Sequence, residues 1–217
     1  VQLAKFVLES RKHGCVHQAV ICAAFLSVQS PLIVSRKDEE KARAAKLAHS
    51  KFGDNSEKGM SDLVRYLRIW EMYSDAEKRN GWCHENFLHT RRMKEIHDIA
   101  NQLIDVLERM DVDVSVGESN VLVNKVFALC FSDSLAYTAS TRDSRGTYTG
   151  LVRKDLEYKA FPGSVMFYGQ DQYMVATQIV STQQVWARVC VPVDKAWLSE
   201  ICPSLFTTTR PVLSGRG

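Results

Sequence analysis

No two cysteines are spaced as CxxC, although six are present, at positions 15, 22, 83, 130, 190 and 202. Zinc sites need closely paired ligands, so Cys15-Val16-His17 with Cys22, and Cys83-His84 with His89 and His97, do not read as a metal centre. Scattered thiols without a secretion signal are expected to be reduced and mostly buried, which points to an intracellular reducing compartment. The chain also lacks a long apolar run. Residues 20–28, interrupted by Ser27, fall far short of the ~20 residues of a spanning helix, and no membrane partner is expected. No charged-then-apolar leader opens the sequence. Nor does one sign of charge dominate. Lys and Arg number 28 against 25 Asp and Glu, a net charge of +3. Up to residue 115 the count is 18 basic to 17 acidic, and after it 10 to 8. That balance permits RNA binding but does not argue for it.

Catalytic signatures are missing as well. There is no GxxxxGK[ST] phosphate loop; the nearest approach, residues 53–59, puts Lys58 before its second glycine and has no strand leading into it. GxGxxG, HExxH, GxSxG and kinase patterns are absent. A nucleophile built on Cys83 and His84 would have no orienting third group and no oxyanion loop. This chain alone is therefore not expected to be an enzyme, and no cofactor is expected within it.

What is present is a soluble globular composition over 217 residues, with 45% apolar and 24% charged residues. The chain starts at Val1, and Leu3-Ala4-Lys5-Phe6-Val7-Leu8 reads as a helix interior, so a longer parent polypeptide is expected. Leu3, Phe6 and Val7 form an apolar face, and Gly14 is placed to end that helix in the left-handed region. Val16, Ala19, Val20, Ala23 and Leu26 predict a second helix that stops before Pro31. Residues 36–51 alternate charge with alanine, as a solvated helix face does. Leu63, Tyr66, Leu67, Trp70 and Tyr73 form a core stripe. Ser74 with Glu77 suggests a capping box, and Gly81 a break. From about Asn86, the positions Ile96, Ile99, Leu103, Leu107 and Met110 predict a long helix, with a linker at 111–119.

The second half changes character. One helix enters it, with Val123, Val126, Phe127, Cys130 and Phe131 on one face. Five short β-branched and aromatic runs follow at 147–152, 156–161, 164–168, 172–181 and 185–191. Five strands at this spacing suggest a small barrel of the OB type. Asp194 can cap a last short helix at 195–201, and 204–217 reads as a loosely ordered tail. The fold class is α+β: an all-helical domain followed by a five-stranded OB-like barrel. A helical module joined to such a barrel commonly guides single-stranded nucleic acid, because the barrel face offers aromatic platforms and cations.

Over residues 1–203 the chain resembles the C-terminal accessory region of DEAH-box (DEAH/RHA) RNA helicases. Leu3-Ala4-Lys5, Gly14-Cys15 and residues 23–28 are similar to that family's LAK…GC…AA.LSV stretch. Ser61-Asp62-Leu63 leading to Trp70 resembles its SDH.LLxxYxxW segment, with Leu63 where histidine is usual. Trp82-Cys83, Asn86-Phe87-Leu88 and Arg91 look like WC..NFL..R. Thr182, Arg188, Val193-Asp194 and Trp197-Leu198 look like its closing TxK…R…ID..WL pattern. The resemblance implies the end of a winged helix at 1–34, a ratchet-type helicase-associated domain at 35–115, and an OB-fold at 116–203. It further implies an RNA-binding and motor-coupling module. ATP and Mg would then sit in motor domains outside this chain, and partners would be single-stranded RNA, those motor domains and a glycine-patch or other protein activator.

Several positions depart from the family pattern. HPSS reads Phe161-Pro162-Gly163-Ser164, Gln184 replaces the lysine of TxK, Ala100 replaces an arginine, and Cys130 a glycine. These losses leave open a second reading, a protein-docking platform that has shed RNA contact. The residues expected to touch RNA are Arg91, Ser164, Thr182 and Arg188, with Lys159 and Gln184 flanking them. Phe161 is either a base-stacking platform or a packed core residue, and Arg188 either an RNA contact or a buried partner of Asp194.

Overall fold

The computed structural model describes residues 1–35, 38–54, 56–139, 147–169 and 171–206. Seven helices come first: α1 (Gln2–Ser10), α2 (Val16–Ser27), α3 (Glu39–Ser50), α4 (Asp62–Asp75), α5 (Arg79–Glu85), α6 (Thr90–Arg109) and α7 (Leu122–Cys130). Their burial follows from their sequences. Nine of the first ten residues of α2 are buried, including Gln18 and the small pair Ala23-Ala24, so other elements surround it on all sides. In α6 the buried positions are Met93, Ile96, Ala100 and Leu107, the narrow stripe of a helix with one side in water. Charge-and-alanine α3 buries only Ala45, Ala48 and His49. Gly14 ends the first helical segment at φ +62°, as its placement predicts.

Three local expectations need correction. The Ser74–Glu77 capping box is not used, because α4 runs on to Asp75 and the next helix starts at Arg79. Gly81 lies inside α5 rather than breaking it. Residues 164–168 are not a strand but a 3-10 turn, Val165–Tyr168, whose start is capped when the Met166 N–H donates to Ser164 Oγ at 3.0 Å. A short apolar run fits either state by periodicity alone.

The barrel still has five strands: β1 (Ala136–Tyr137), β2 (Tyr148–Gly150), β3 (Glu157–Ala160), β4 (Tyr173–Ser181) and β5 (Val185–Pro192). They close in the order β1-β2-β3-β5-β4, with β1 pairing back to β4. Only β3 and β5 run parallel; the other four pairs are antiparallel. Asp194 caps the turn leading into α8 (Leu198–Ile201), accepting from the Ala196 N–H at 2.9 Å. Most of the expected tail, 207–217, lies outside the described residues.

The helices and the barrel share one core. A single cluster runs from Phe6, Phe25, Leu63 and Phe127 to Val175, Val189 and Val191 of the barrel strands. Phe6 meets the Phe127 ring edge-on at 5.4 Å, and Phe25 stacks on Tyr66 at 4.6 Å. Met60 and Val64, from the helical side, join the barrel's inner residues Tyr158, Met166, Met174 and Cys190. The barrel is thus plugged by the start of α4. All six cysteines are free and buried.

Candidate nucleic-acid interface

The parallel pairing of β3 with β5 determines what the outer barrel surface carries. Lys159 lies opposite Trp186, and Ala160 opposite Ala187. Side chains alternate across a strand, so Ala160 and Ala187 point into the barrel interior while Lys159, Trp186 and Arg188 share the outer side. The ladder extends one residue past β3, where the Phe161 N–H donates to the Ala187 carbonyl at 2.8 Å. That bond sets the Phe161 ring beside the two β5 side chains.

The Phe161 and Trp186 rings meet at 6.2 Å and 89°, edge to face. The Arg188 guanidinium sits over the Phe161 ring, 5.6 Å from its centroid. Phe161 and Trp186 are half-buried and Arg188 is exposed, so neither ring is lost in the core and Arg188 is not paired inside the barrel. Asp194 instead caps its own turn. Neither Lys159 nor Arg188 makes an ion pair with a carboxylate among the described residues. Glu157 is exposed on the same side of β3, two residues before Lys159, and dilutes the positive charge there.

Thr182 and Gln184 stand at the tip of the β4–β5 hairpin, both exposed. The Thr182 hydroxyl and backbone N–H both donate to the Gln184 carbonyl, each at 3.0 Å. The hydroxyl proton is therefore committed, and its oxygen is left to accept. An open depression lined by Thr182, Gln183, Gln184 and Trp186 joins this tip to the aromatic pair.

Two expected contact residues lie elsewhere. Arg91 is exposed in the first turn of α6, in the helical unit, while its neighbour Arg92 donates to the Ser30 carbonyl and to Gln29. Ser164 is 6% exposed, and its hydroxyl donates to Asp62 Oδ2 at 2.6 Å. Lys159, Phe161, Arg188, Thr182 and Gln184 therefore cluster on one side of the barrel; Arg91 and Ser164 do not join them. Trp186 was missed from the sequence, although strict alternation in Val185-Trp186-Ala187-Arg188-Val189 would have put it beside Arg188.

The thiols do not supply an alternative chemistry. Burial pushes Cys83 up to about 11, and Cys15 likewise to about 11, so both are protonated and weakly nucleophilic near neutrality. No group of three His, Cys, Asp or Glu side chains able to hold a metal occurs among the described residues. No helix among them is long and apolar enough to cross a membrane.

Two family models match the chain: a ratchet-like helicase-associated domain (HA2) over residues 1–66 and an oligonucleotide/oligosaccharide-binding (OB) fold over residues 123–205. Two such domains in this order match the C-terminal accessory region of DEAH-box and HrpA-type RNA helicases. The ATP-dependent RNA helicase HrpA of Escherichia coli is 25% identical over 214 residues, covering 96% of this chain and 16% of the relative. The HrpA homologue of Haemophilus influenzae is 23% identical, covering 94% of the chain and 15% of the relative. Arabidopsis thaliana DEAH10, a pre-mRNA-splicing factor ATP-dependent RNA helicase, is 25% identical over 219 residues, covering 94% and 29%. The chain thus spans less than a third of each. The closed five-strand barrel and the helices before it match the two domain descriptions, and the candidate face belongs to the OB domain.

Proposed function

We propose that this accessory region guides single-stranded RNA along the β3–β5 side of its OB domain and couples it to ATP-driven motor domains outside this chain. ATP and Mg would act in those domains. The observation that carries this reading is the cluster of Phe161, Trp186 and Arg188: two half-open rings at right angles and a cation with no carboxylate partner among the described residues. Rings of this kind stack on bases whatever the sequence, and Arg188 with Lys159 supplies charge for the phosphates. On this reading residues 35–115 are the ratchet domain, 116–203 the OB domain, and 1–34 the end of a winged helix. Arg91, on the helical unit, would meet a different stretch of the strand.

The second reading, a protein-docking platform for an activator such as a glycine-patch protein, is favoured by Ser164, whose hydroxyl is spent inside the molecule. Fluorescence anisotropy with a labelled single-stranded RNA at several salt concentrations separates the two. RNA guidance predicts affinity that falls with salt. It also predicts a loss of ~5-fold or more for Phe161→Ala or Trp186→Ala, from the ~1–3 kcal/mol of a stacked base. Arg188→Ala lowers the salt slope by ~0.7, the value for one phosphate contact on a single strand. Affinity unchanged in all three variants contradicts the reading.

A further inference from the structure

Asp62 is the first residue of α4, in the helical unit, yet three of the hydrogen bonds it accepts come from the barrel. Ser164 Oγ donates to its Oδ2 at 2.6 Å, the Val165 N–H to Oδ1 at 3.0 Å, and the Cys190 N–H to Oδ2 at 2.8 Å. The residue is 3% exposed. One turn along, Arg65 Nη1 donates to the Gly163 carbonyl at 2.8 Å. A single helical turn therefore grips two separate barrel segments, the 163–165 turn and β5 at Cys190. Removing a carboxylate from water is costly, but an apolar side chain in its place would leave the Ser164 hydroxyl and the Val165 and Cys190 N–H groups buried without an acceptor. What the carboxylate adds is direction: three donors are held at defined places.

Those two segments are the ones that carry the RNA face. Phe161 lies two residues before Gly163 in the turn, and Trp186 and Arg188 lie four and two residues before Cys190 on β5. The Phe161 ring rests against Gly163, where an added Cβ would stand 3.3 Å from ring atoms Cδ1 and Cε1. Holding Gly163 and Cys190 therefore holds the ring and its β5 neighbours relative to each other. We infer that Asp62 is a positioning residue for the RNA face, pinning the Phe161 turn against the Trp186–Arg188 strand and keying both to helix α4 of the ratchet unit. This rests on the reading of that face as the RNA site, but its geometric half stands independently.

The test uses the 217-residue chain and two readouts. The first needs no RNA: NMR cross-relaxation between the Phe161 ring and the Trp186 indole, which wild type should show. Asp62→Asn keeps the shape but turns one acceptor into a donor facing a donor, and should abolish that signal while the chain stays folded. If Asp62→Asn does not fold, Ser164→Ala removes one of the three donors and should weaken the signal. The second readout is RNA affinity, expected to drop about tenfold in Asp62→Asn with an unchanged salt slope. Phe161→Ala should then cost much less on the Asp62→Asn background than on wild type, as for coupled residues. Retention of the ring signal in folded Asp62→Asn, or in Ser164→Ala where only that variant folds, overturns the positioning role whatever the RNA does. Equal costs of Phe161→Ala on both backgrounds overturn it as well. Loss of the ring signal in a chain whose wild type binds no RNA supports the positioning role and refutes the RNA reading alone.

Discussion

Single residues inside the helical unit carry chemistry that their neighbours in sequence do not reveal. His49 is 7% exposed, and its Nε2 lies 3.2 Å from the Phe87 carbonyl. Because the partner is a carbonyl, that nitrogen must carry the proton and donate. Phe87 adopts φ +53°, in the left-handed region, and its carbonyl also accepts from the Ile33 N–H at 2.9 Å. Burial lowers the His49 pKa below its ordinary 6.5; the nearby Arg65 charge adds to this and the Phe87 bond opposes it. The sign follows directly. Well above pH 6.5 the ring is neutral in folded and unfolded chains alike, and nothing is lost. As pH falls below 6.5 the unfolded chain takes up the proton first, so stability drops until the pH passes the folded value. Urea midpoints measured between pH 7.5 and 5.5 should therefore decline, and His49→Gln should flatten that decline. A pH profile identical in the variant would refute the assignment.

At the scale of elements, most helices were legible in the sequence, because an apolar repeat of three and four reports a buried stripe wherever it is sustained. The stripe of α6 and the all-apolar run of α2 are examples. What local pattern missed depends on partners distant in sequence. Strand β1 has only two residues, Ala136 and Tyr137, and exists because Ala136 pairs with Gly150 on one side and Met174 on the other. The 164–168 run turns into a 3-10 segment because Ser164 and Val165 bond to Asp62, about a hundred residues earlier. The same contact explains why Ser164, expected at the RNA face from its motif, faces inward. Trp186 illustrates the opposite case, since alternation alone implied its side.

The linker, expected as a loop at 111–119, is held by a buried side chain. Gln18 Nε2 donates to the Gly117 carbonyl at 2.9 Å, and the Gly117 N–H donates to Gln18 Oε1 at 3.2 Å. A Cβ at position 117 would stand 2.3 Å from the Gly14 carbonyl oxygen, a backbone atom that cannot yield. Gly117→Ala should thus lift the segment and cost ~1–3 kcal/mol in a denaturant titration, the range for overpacking. Val116→Ala, at an exposed neighbour, should stay within ~0.5 kcal/mol. Equal effects of the two would mean the linker is not pinned there.

For the molecule as a whole, the helical unit and the barrel share one core, and the proposed RNA face is built on the barrel and keyed by the helical unit. Met60 and Val64 close the barrel interior, Asp62 and Arg65 grip its turn and last strand, and Lys46 on α3 reaches over the Tyr168 ring at 5.3 Å. A rotation of the helical unit would therefore be felt directly by Phe161, Trp186 and Arg188, as the proposed coupling to a motor requires. The most direct test of that account is to photo-crosslink a 4-thiouridine-containing single-stranded RNA to the chain and map the modified peptides. The account predicts crosslinks concentrated in two peptides, residues 157–164 and 185–192. Crosslinks confined to the helical unit, with both barrel peptides unmodified, would contradict it.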